Sequence, residues 1–293
     1  MQVQNKKPEW LNKKLNYQSI KKMGAILRSL NLHTVCEGAK CPNMGECFAN
    51  STATFMILGN ICSRNCMFCA IPSGELLPPD PKEPENIVLA AKKLNLKHIV
   101  ITSVTRDDLQ DGGAKQFADC IYQIKKNMPG TTVEVLIPDM KADLKSLDIV
   151  LNAEPEILNH NVETVPELYS TVRPMANYKQ SLFVLEYSKK HKPKIFTKSG
   201  IMLGLGEKKE DVLKLFDDLR SVNCDMLTIG QYLPPSKNHA SLKEYIHPEI
   251  FNEYKEKALK RGFKYVVSGP YVRSSYNAVD GMKILQSKTK KAP

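Results

Sequence analysis

Six of the chain's eight cysteines fall between positions 36 and 69, in two triplets of different spacing. The later triplet, Cys62, Cys66 and Cys69, is C-x3-C-x2-C. Three thiolates on one short loop can wrap one face of an iron–sulfur cubane and leave one iron without a protein ligand. An iron with an open position can bind a small molecule, which is the requirement for catalysis. The alternative is zinc, which usually takes four protein ligands in paired C-x2-C units, whereas here three ligands stand at unequal spacing. The earlier triplet, Cys36, Cys41 and Cys47, is C-x4-C-x5-C. By itself it would complete a zinc site with His33 or oxidise adventitiously; beside another triplet it reads as a second cluster. Cys120 falls on the apolar face of a helical pattern and Cys224 precedes a strand pattern, so both read as small buried hydrophobes. Clustered thiols in a reducing compartment argue for metal or catalysis rather than disulfides.

Those cysteines need a frame. Residues 1–50 carry little regular periodicity. From residue 52 a strand–helix rhythm begins. Strand patterns occupy 52–59, 98–103, 132–138, 156–163, 196–203 and 226–233. Between and after them apolar residues recur at helical spacing: Ile87, Ala91 and Leu94; Phe117, Cys120, Ile121, Ile124 and Met128; Leu144, Leu147 and Leu151; a weaker stretch at 179–190; Val212, Leu215, Phe216, Leu219 and Val222; and Phe251, Tyr254 and Ala258. Such alternation predicts a parallel sheet with right-handed crossovers. Six repeats are fewer than a closed eight-fold barrel uses. A doubly wound open sheet stays open as an alternative, although no G-x-G-x-x-G turn follows an early strand. In parallel α/β folds the chemistry sits at the carboxyl ends of strands. The segments there, 60–69, 102–108, 159–164 and 230–236, are unusually polar.

The chain has 293 residues, 42% of them hydrophobic, and a net charge of +11. This composition suits a globular enzyme and no apolar run approaches the ~20 residues of a membrane span. The lysine-rich start has no apolar signal core, so a bacterial cytosol is the expectation. Much of the charge lies at the ends: Lys6, Lys7, Lys13, Lys14, Lys21, Lys22 and Arg28, then Lys283, Lys288, Lys290 and Lys291. Basic ends attract nucleic acid or an acidic protein surface, or simply keep the chain soluble.

A C-x3-C-x2-C loop after the first strand of a partial barrel resembles the radical S-adenosylmethionine (SAM) superfamily. Within it the chain most resembles the lipoyl synthase family. Residues 36–47, ending Cys41-Pro42-Asn43-Met44-Gly45-Glu46-Cys47, resemble that family's auxiliary-cluster motif. Further matching blocks are 54–69, 102–109 (Thr102-Ser103-Val104-Thr105-Arg106-Asp107-Asp108-Leu109), 111–114, 159–166, 172–174, 198–200 and 228–232. The last is Arg273-Ser274-Ser275-Tyr276. Gly38 and Lys40 stand where the family more often has Glu and Ser, and 234–237 departs from its usual wording.

The resemblance implies an α/β fold: a partial (β/α)6 TIM-like barrel of parallel strands at 51–262. An N-terminal extension, 1–50, and a C-terminal one, 263–293, would cover an auxiliary cluster. It implies two [4Fe–4S] clusters and SAM. Cys62, Cys66 and Cys69 would hold the cluster that cleaves the sulfonium and yields a 5′-deoxyadenosyl radical. Cys36, Cys41 and Cys47, with Ser275 as fourth ligand, would hold the cluster that is consumed as the sulfur source. An alkoxide is a poor match for a soft cluster iron, so the Ser275 bond would be the weak one. Thr102 and Ser103 would meet the methionine amine of SAM, Asn161 and Glu163 its ribose, and Arg173 its carboxylate. The implied reaction inserts two sulfurs at carbons six and eight of a protein-bound octanoyl chain, where acid–base chemistry cannot open the C–H bonds. The implied partners are an octanoylated lipoyl carrier domain or H protein, a reduced ferredoxin or flavodoxin, and an iron–sulfur carrier protein, with no nucleic acid and no membrane. Rival readings are a biotin-synthase-like sulfur-inserting enzyme, an RNA-methylthiolating enzyme, and an iron–sulfur carrier or electron-transfer module. The RNA reading predicts aromatics interleaved with lysine, which the sequence lacks. A simple carrier leaves the repeated strand–helix frame without purpose.

Overall fold

The structure, a computed structural model, describes residues 7–13, 16–50 and 52–289. Of the basic ends, Lys6, Lys14, Lys290 and Lys291 lie outside these residues, as does the side chain of Lys288. Two compact units divide the chain: Lys13–Leu158, and Asn159–Pro293 together with Met1–Asn12.

In the first unit, helix α1 (Tyr17–Ser29) starts where the Asn16 side chain accepts the Ser19 N–H, and it buries Met23, Gly24 and Leu27. Strand β1 (His33–Thr34), helices α2 (Val35–Gly38) and α3 (Met44–Ala49), and strand β2 (Thr54–Ile57) follow. The aperiodic reading of residues 1–50 is corrected here. The apolar stripe of α1 is narrow and lysine-flanked, and packing against α3 holds it. That packing is close: a Cβ on Gly45 of α3 would stand 2.6 Å from the Asn16 backbone nitrogen. Next come α4 (Glu83–Lys93), β3 (His98–Ser103), α5 (Ala114–Asn127), β4 (Thr132–Leu136) and α6 (Leu144–Asn152). β5 (Ile157–Asn159) lies at the division between the units. β1 is antiparallel to β2, while β2, β3 and β4 run parallel, with Ile57 opposite Ser103 and Thr102 opposite Leu136. β2 is buried along its whole length, as expected of a parallel strand covered on both faces. Ile87, Ala91, Phe117, Ile121 and Leu147, all read as helical core positions, are fully buried.

The second unit holds α7 (Tyr169–Val172), α8 (Tyr178–His191), β6 (Phe196–Leu203), α9 (Lys209–Ser221), β7 (Met226–Gln231), α10 (Pro248–Lys260), β8 (Tyr265–Gly269) and α11 (Ala278–Thr289). β6, β7 and β8 are parallel and adjacent in chain order. Phe216 of α9 sits at the centre of this core, edge-on to Tyr254 and Phe263 at 5.9 and 6.3 Å. Truncating such a ring typically costs about 3–5 kcal/mol.

The parallel α/β class expected from the alternation is the one observed. The six strand patterns correspond to β2–β7, each within a few residues of its expected ends. β1 and β8 are additions. The first is two residues long and the second runs into Ser268-Gly269-Pro270, so neither carries a periodic signal. Among the described residues no helix is long and apolar enough to cross a membrane.

Candidate active site

Beyond β2 the chain turns through two left-handed residues, Leu58 (φ 67°) and Gly59 (φ 89°). Glycine adopts this conformation freely, whereas a leucine does so at a cost of roughly 1–2 kcal/mol. Its neighbours hold it there. The Glu83 carboxylate accepts the Leu58 N–H at 3.0 Å, and Arg106 donates to the Leu58 carbonyl at 3.3 Å. The leucine side chain fills the space beside Gly113, where a Cβ would stand 2.2 Å from it. Glu83 also accepts from the Gln116 amide at 2.9 Å. Burial raises the Glu83 pKa, against the lowering effect of these hydrogen bonds.

The cysteine loop that follows is fixed to the segment after β3. Ser63 donates its N–H and hydroxyl to the Thr105 carbonyl at 3.0 and 2.9 Å, and its Oγ accepts the Asp107 N–H at 3.0 Å. Cys62 Sγ accepts two backbone N–H groups, from Arg64 at 3.4 Å and Thr105 at 3.3 Å. Cys66 and Cys69 are joined by a turn, with the Cys69 N–H donating to the Cys66 carbonyl at 3.1 Å. All three thiols are part-exposed.

Arg64, between the first two cysteines, turns inward and is 7% exposed. Its guanidinium makes two forks. Nε and Nη2 donate to Asp107 at 2.6 and 2.9 Å, and Nη1 and Nη2 donate to Asp139 at 2.7 and 2.8 Å. Burial works against this charge, but the hydrogen bonds to Asp107 and Asp139 overcome it and raise the arginine pKa above its ordinary value. Asp139 also accepts the Lys141 N–H at 3.0 Å. It opens a turn in which Met140, Lys141 and Ala142 all have positive φ, 45°, 53° and 56°. Consecutive non-glycine residues in this region store strain that only strong local anchoring sustains.

The earlier triplet lies in the same unit on lighter supports. Cys36 is on α2 and Cys47 on α3, with Cys41 in the connection. The Cys41 N–H donates to the Cys36 carbonyl at 2.9 Å, and the Thr52 N–H to the Cys47 carbonyl at 2.8 Å. Burial pushes the Cys36 thiol up to about 12 and Cys47 up to about 11, and the proximity of Cys41 adds to both shifts. Lys13, one of the basic lead's charges, is tied down by Glu46 and Asn43, both at 2.6 Å. The two triplets are neighbours. A Cβ on Gly38, just after Cys36, would stand 2.6 Å from Cδ1 of Ile71, just after Cys69. This explains the glycine where the resemblance expects a larger residue. Among the described residues no three His, Cys, Asp or Glu side chains converge as a single-ion site. Ligands of a cubane sit on different irons and stand further apart.

Thr102 and Ser103 end β3. The Thr102 hydroxyl donates to the Leu136 carbonyl at 3.0 Å, joining β3 to β4. Ser103 Oγ is buried without a hydrogen-bond partner among the described residues. In the other unit, Asn161 donates to Ser274 Oγ at 2.6 Å and to Glu163 at 3.0 Å, while its Oδ1 is buried and unpartnered. Gly200 makes room beside that oxygen, since a Cβ there would stand 2.9 Å from it. Glu163 is left-handed (φ 66°), and burial raises its pKa against the pull of Arg173 and Asn161. Arg173 is buried, and its Nη1 donates to the Asn161 and Val162 carbonyls at 3.1 and 3.3 Å and to Tyr169 Oη at 3.0 Å. Ser275 follows the serine that holds Asn161.

Sequence reasoning gave no functional role to Ser63, Arg64, Asp139, Glu83 or Ser274, although Ser63, Arg64 and Ser274 lie in the matched blocks. The available signals were an arginine inside the C-x3-C gap and acids at strand ends. Cys120 and Cys224 are fully buried, as read. The donor set fits an iron–sulfur cluster: three part-exposed thiols on one clamped loop, one already accepting two N–H groups. In the same unit the orphaned Ser103 Oγ fits a polar cofactor, since leaving such a buried atom unsatisfied costs about 1–3 kcal/mol.

Comparison with known proteins agrees. The model of the radical SAM superfamily matches residues 56–219. The chain is 54% identical to a lipoyl synthase of Caldanaerobacter subterraneus over 279 residues, 95% of this chain and 98% of that one. It is 54% identical to a lipoyl synthase of Caldicellulosiruptor saccharolyticus over 284 residues, 97% and 100% of the two chains. Among solved structures, methylornithine synthase shares the fold, with TM-score 0.54, 13% identity, and 86% and 85% of the two chains covered. A radical SAM enzyme binds a [4Fe–4S] cluster and SAM. With relatives at this identity over nearly the whole length, the chain belongs to the lipoyl synthase family of the radical SAM superfamily.

Proposed function

We propose that the chain inserts sulfur at carbons six and eight of an octanoyl-lysine carried on a lipoyl domain or H protein, using two [4Fe–4S] clusters and SAM. Cys62, Cys66 and Cys69 hold the cluster that binds SAM. Cys36, Cys41, Cys47 and Ser275 hold the second cluster, the sulfur source. The observation that carries this reading is the pair of neighbouring thiol triplets within one compact unit.

When bound to its cluster, SAM supplies a 5′-deoxyadenosyl radical able to take hydrogen from an unactivated carbon. The chain's own residues orient and shield it. Ser103 Oγ offers its unpartnered oxygen to the methionine amine, beside Thr102. Asn161 and Glu163 meet the ribose hydroxyls, and Arg173 brings positive charge for the methionine carboxylate while its Nη1 keeps residues 161–162 in place. N-terminal residues 1–50 and C-terminal residues 263–293 serve the second cluster. A reduced ferredoxin or flavodoxin supplies electrons, an iron–sulfur carrier rebuilds the spent cluster, and the reducing cytosol keeps the thiols free.

The test is anaerobic reconstitution followed by iron and sulfide analysis and mass spectrometry of an octanoyl-lysine peptide. The expected result is eight irons per chain, by the count of four for each cubane, with 5′-deoxyadenosine and a lipoyl peptide formed together. Zinc in place of iron, or an intact nucleoside under reduction, would sink the reading.

A further inference from the structure

The thiols of the C-x3-C-x2-C loop are accounted for, but the guanidinium inside it is not. Arg64 is buried in a loop whose cysteines are part-exposed. It makes four charge-assisted hydrogen bonds, all between 2.6 and 2.9 Å, to two carboxylates. Asp107 follows β3 and Asp139 follows β4. Asp139 in turn anchors the left-handed run Met140–Lys141–Ala142, and the Lys141 ammonium donates to the Asp107 carbonyl at 3.1 Å. A planar fork can satisfy two carboxylates in fixed directions, which an ammonium cannot.

This node and the Cys62 thiol meet at one residue. The Arg64 backbone N–H is one of two that donate to Cys62 Sγ. Hydrogen bonds to ligand sulfurs stabilise the extra negative charge of a reduced cluster and so raise its reduction potential. The two forks fix the Arg64 side chain to the segments after β3 and β4, and the same residue's backbone N–H points at Cys62 Sγ.

We propose that Arg64, held by Asp107 and Asp139, is a positioning residue that sets the reduction potential of the radical-generating cluster by fixing the N–H···S bonds at Cys62. The inference rests on the cluster assignment made above. Loosening the node makes the cluster harder to reduce without removing a ligand. One electron from an added reductant then reaches the cluster less readily, and SAM cleavage falls with it.

The experiment is an anaerobic one-electron redox titration, followed by electron paramagnetic resonance, of the full chain with Cys36, Cys41 and Cys47 replaced by alanine, so that one cluster is read. In that background Arg64→Lys keeps the positive charge and loses the double fork. It is expected to shift the midpoint negative by at least ~59 mV, a tenfold change in the reduced fraction at fixed poise for one electron. 5′-Deoxyadenosine formation should fall about tenfold with a weak reductant and recover with a strong one, since that ratio follows the midpoint. A fully loaded Arg64→Lys cluster with an unchanged midpoint and no dependence on reductant strength overturns the proposal. If Arg64→Lys fails to load iron, Asp107→Asn and Asp139→Asn decide by the same two measurements, and unchanged midpoints in both overturn it. Cys62→Ala separates the two readings. A chain that keeps its cluster without Cys62 refutes the ligand assignment, whereas loss of the cluster there with a normal midpoint in Arg64→Lys refutes only the positioning role.

Discussion

The two cysteine triplets lie in the same compact unit, yet they are held in different ways. The C-x3-C-x2-C loop leaves β2 through a left-handed leucine pinned by Glu83 and Arg106. It is bonded to the segment after β3 through Ser63 and locked to two strand ends through Arg64. The C-x4-C-x5-C segment rides on helices of four and six residues, with backbone turns and a lysine tie at Lys13. Its proposed fourth ligand, Ser275, belongs to the other unit. On the proposed assignment, the cross-linked loop would return the SAM-binding cluster to one geometry each turnover, while the second triplet, on short helices, would let a sulfur-donating cluster come apart and be rebuilt.

The sharpest way to break this contrast is to delete one thiol from each triplet. Cys66→Ala should abolish 5′-deoxyadenosine formation. Cys41→Ala should retain cofactor cleavage and yield no lipoyl product. Both products are read by mass spectrometry, and the reverse pattern would exchange the two roles.

A smaller effect tests the lighter support. Ser275→Ala should lower occupancy of the second cluster and lipoyl yield by at least about 10-fold, since even outer partners of a metal ligand are worth 10–100-fold. Iron counts and product yield check it. A full second cluster with normal turnover would remove Ser275 from the ligand set.

Stability of the cluster-free chain sharpens the comparison further. Asp139→Ala leaves the buried guanidinium with the Asp107 fork alone and should cost about 1–3 kcal/mol in denaturant unfolding. Lys13→Met removes a half-exposed ion pair and should cost less than about 1 kcal/mol after solvent screening. Equal losses would mean that the two segments are held equally well.

The smallest expected effect is in pH. Glu83 has a folded pKa above its ordinary value of 4.5 because burial disfavours its charge. Its protonated form is therefore the one the fold favours. That contribution is present in full below the unfolded value and is lost as pH rises through the folded one. Glu83→Gln keeps an oxygen for the Leu58 N–H and should flatten this part of the stability–pH curve. An unchanged slope just above pH 4.5, in unfolding curves taken at several pH values, would remove Glu83 as its source.

Much was legible before any coordinates. Both triplets, the buried roles of Cys120 and Cys224, and the six central strands were read from residue types and spacing. α1 was not, because its apolar face is narrow and its stability comes from α3 rather than from its own pattern. Thr102 and Ser103 looked equivalent in sequence. In the structure one hydroxyl is spent on the Leu136 carbonyl and the other is buried without a partner among the described residues.

Covalent spacing by itself determined that three thiols lie on each short segment and that a parallel α/β frame follows the first of them. The short apolar run Phe55-Met56-Ile57-Leu58 likewise marked β2 as a strand covered on both faces. Only the tertiary structure decided what holds those thiols. Arg64 meets Asp107 across 43 positions and Asp139 across 75. No local pattern encodes such a meeting, since it exists only after β2, β3 and β4 have paired in register and brought their carboxyl ends together.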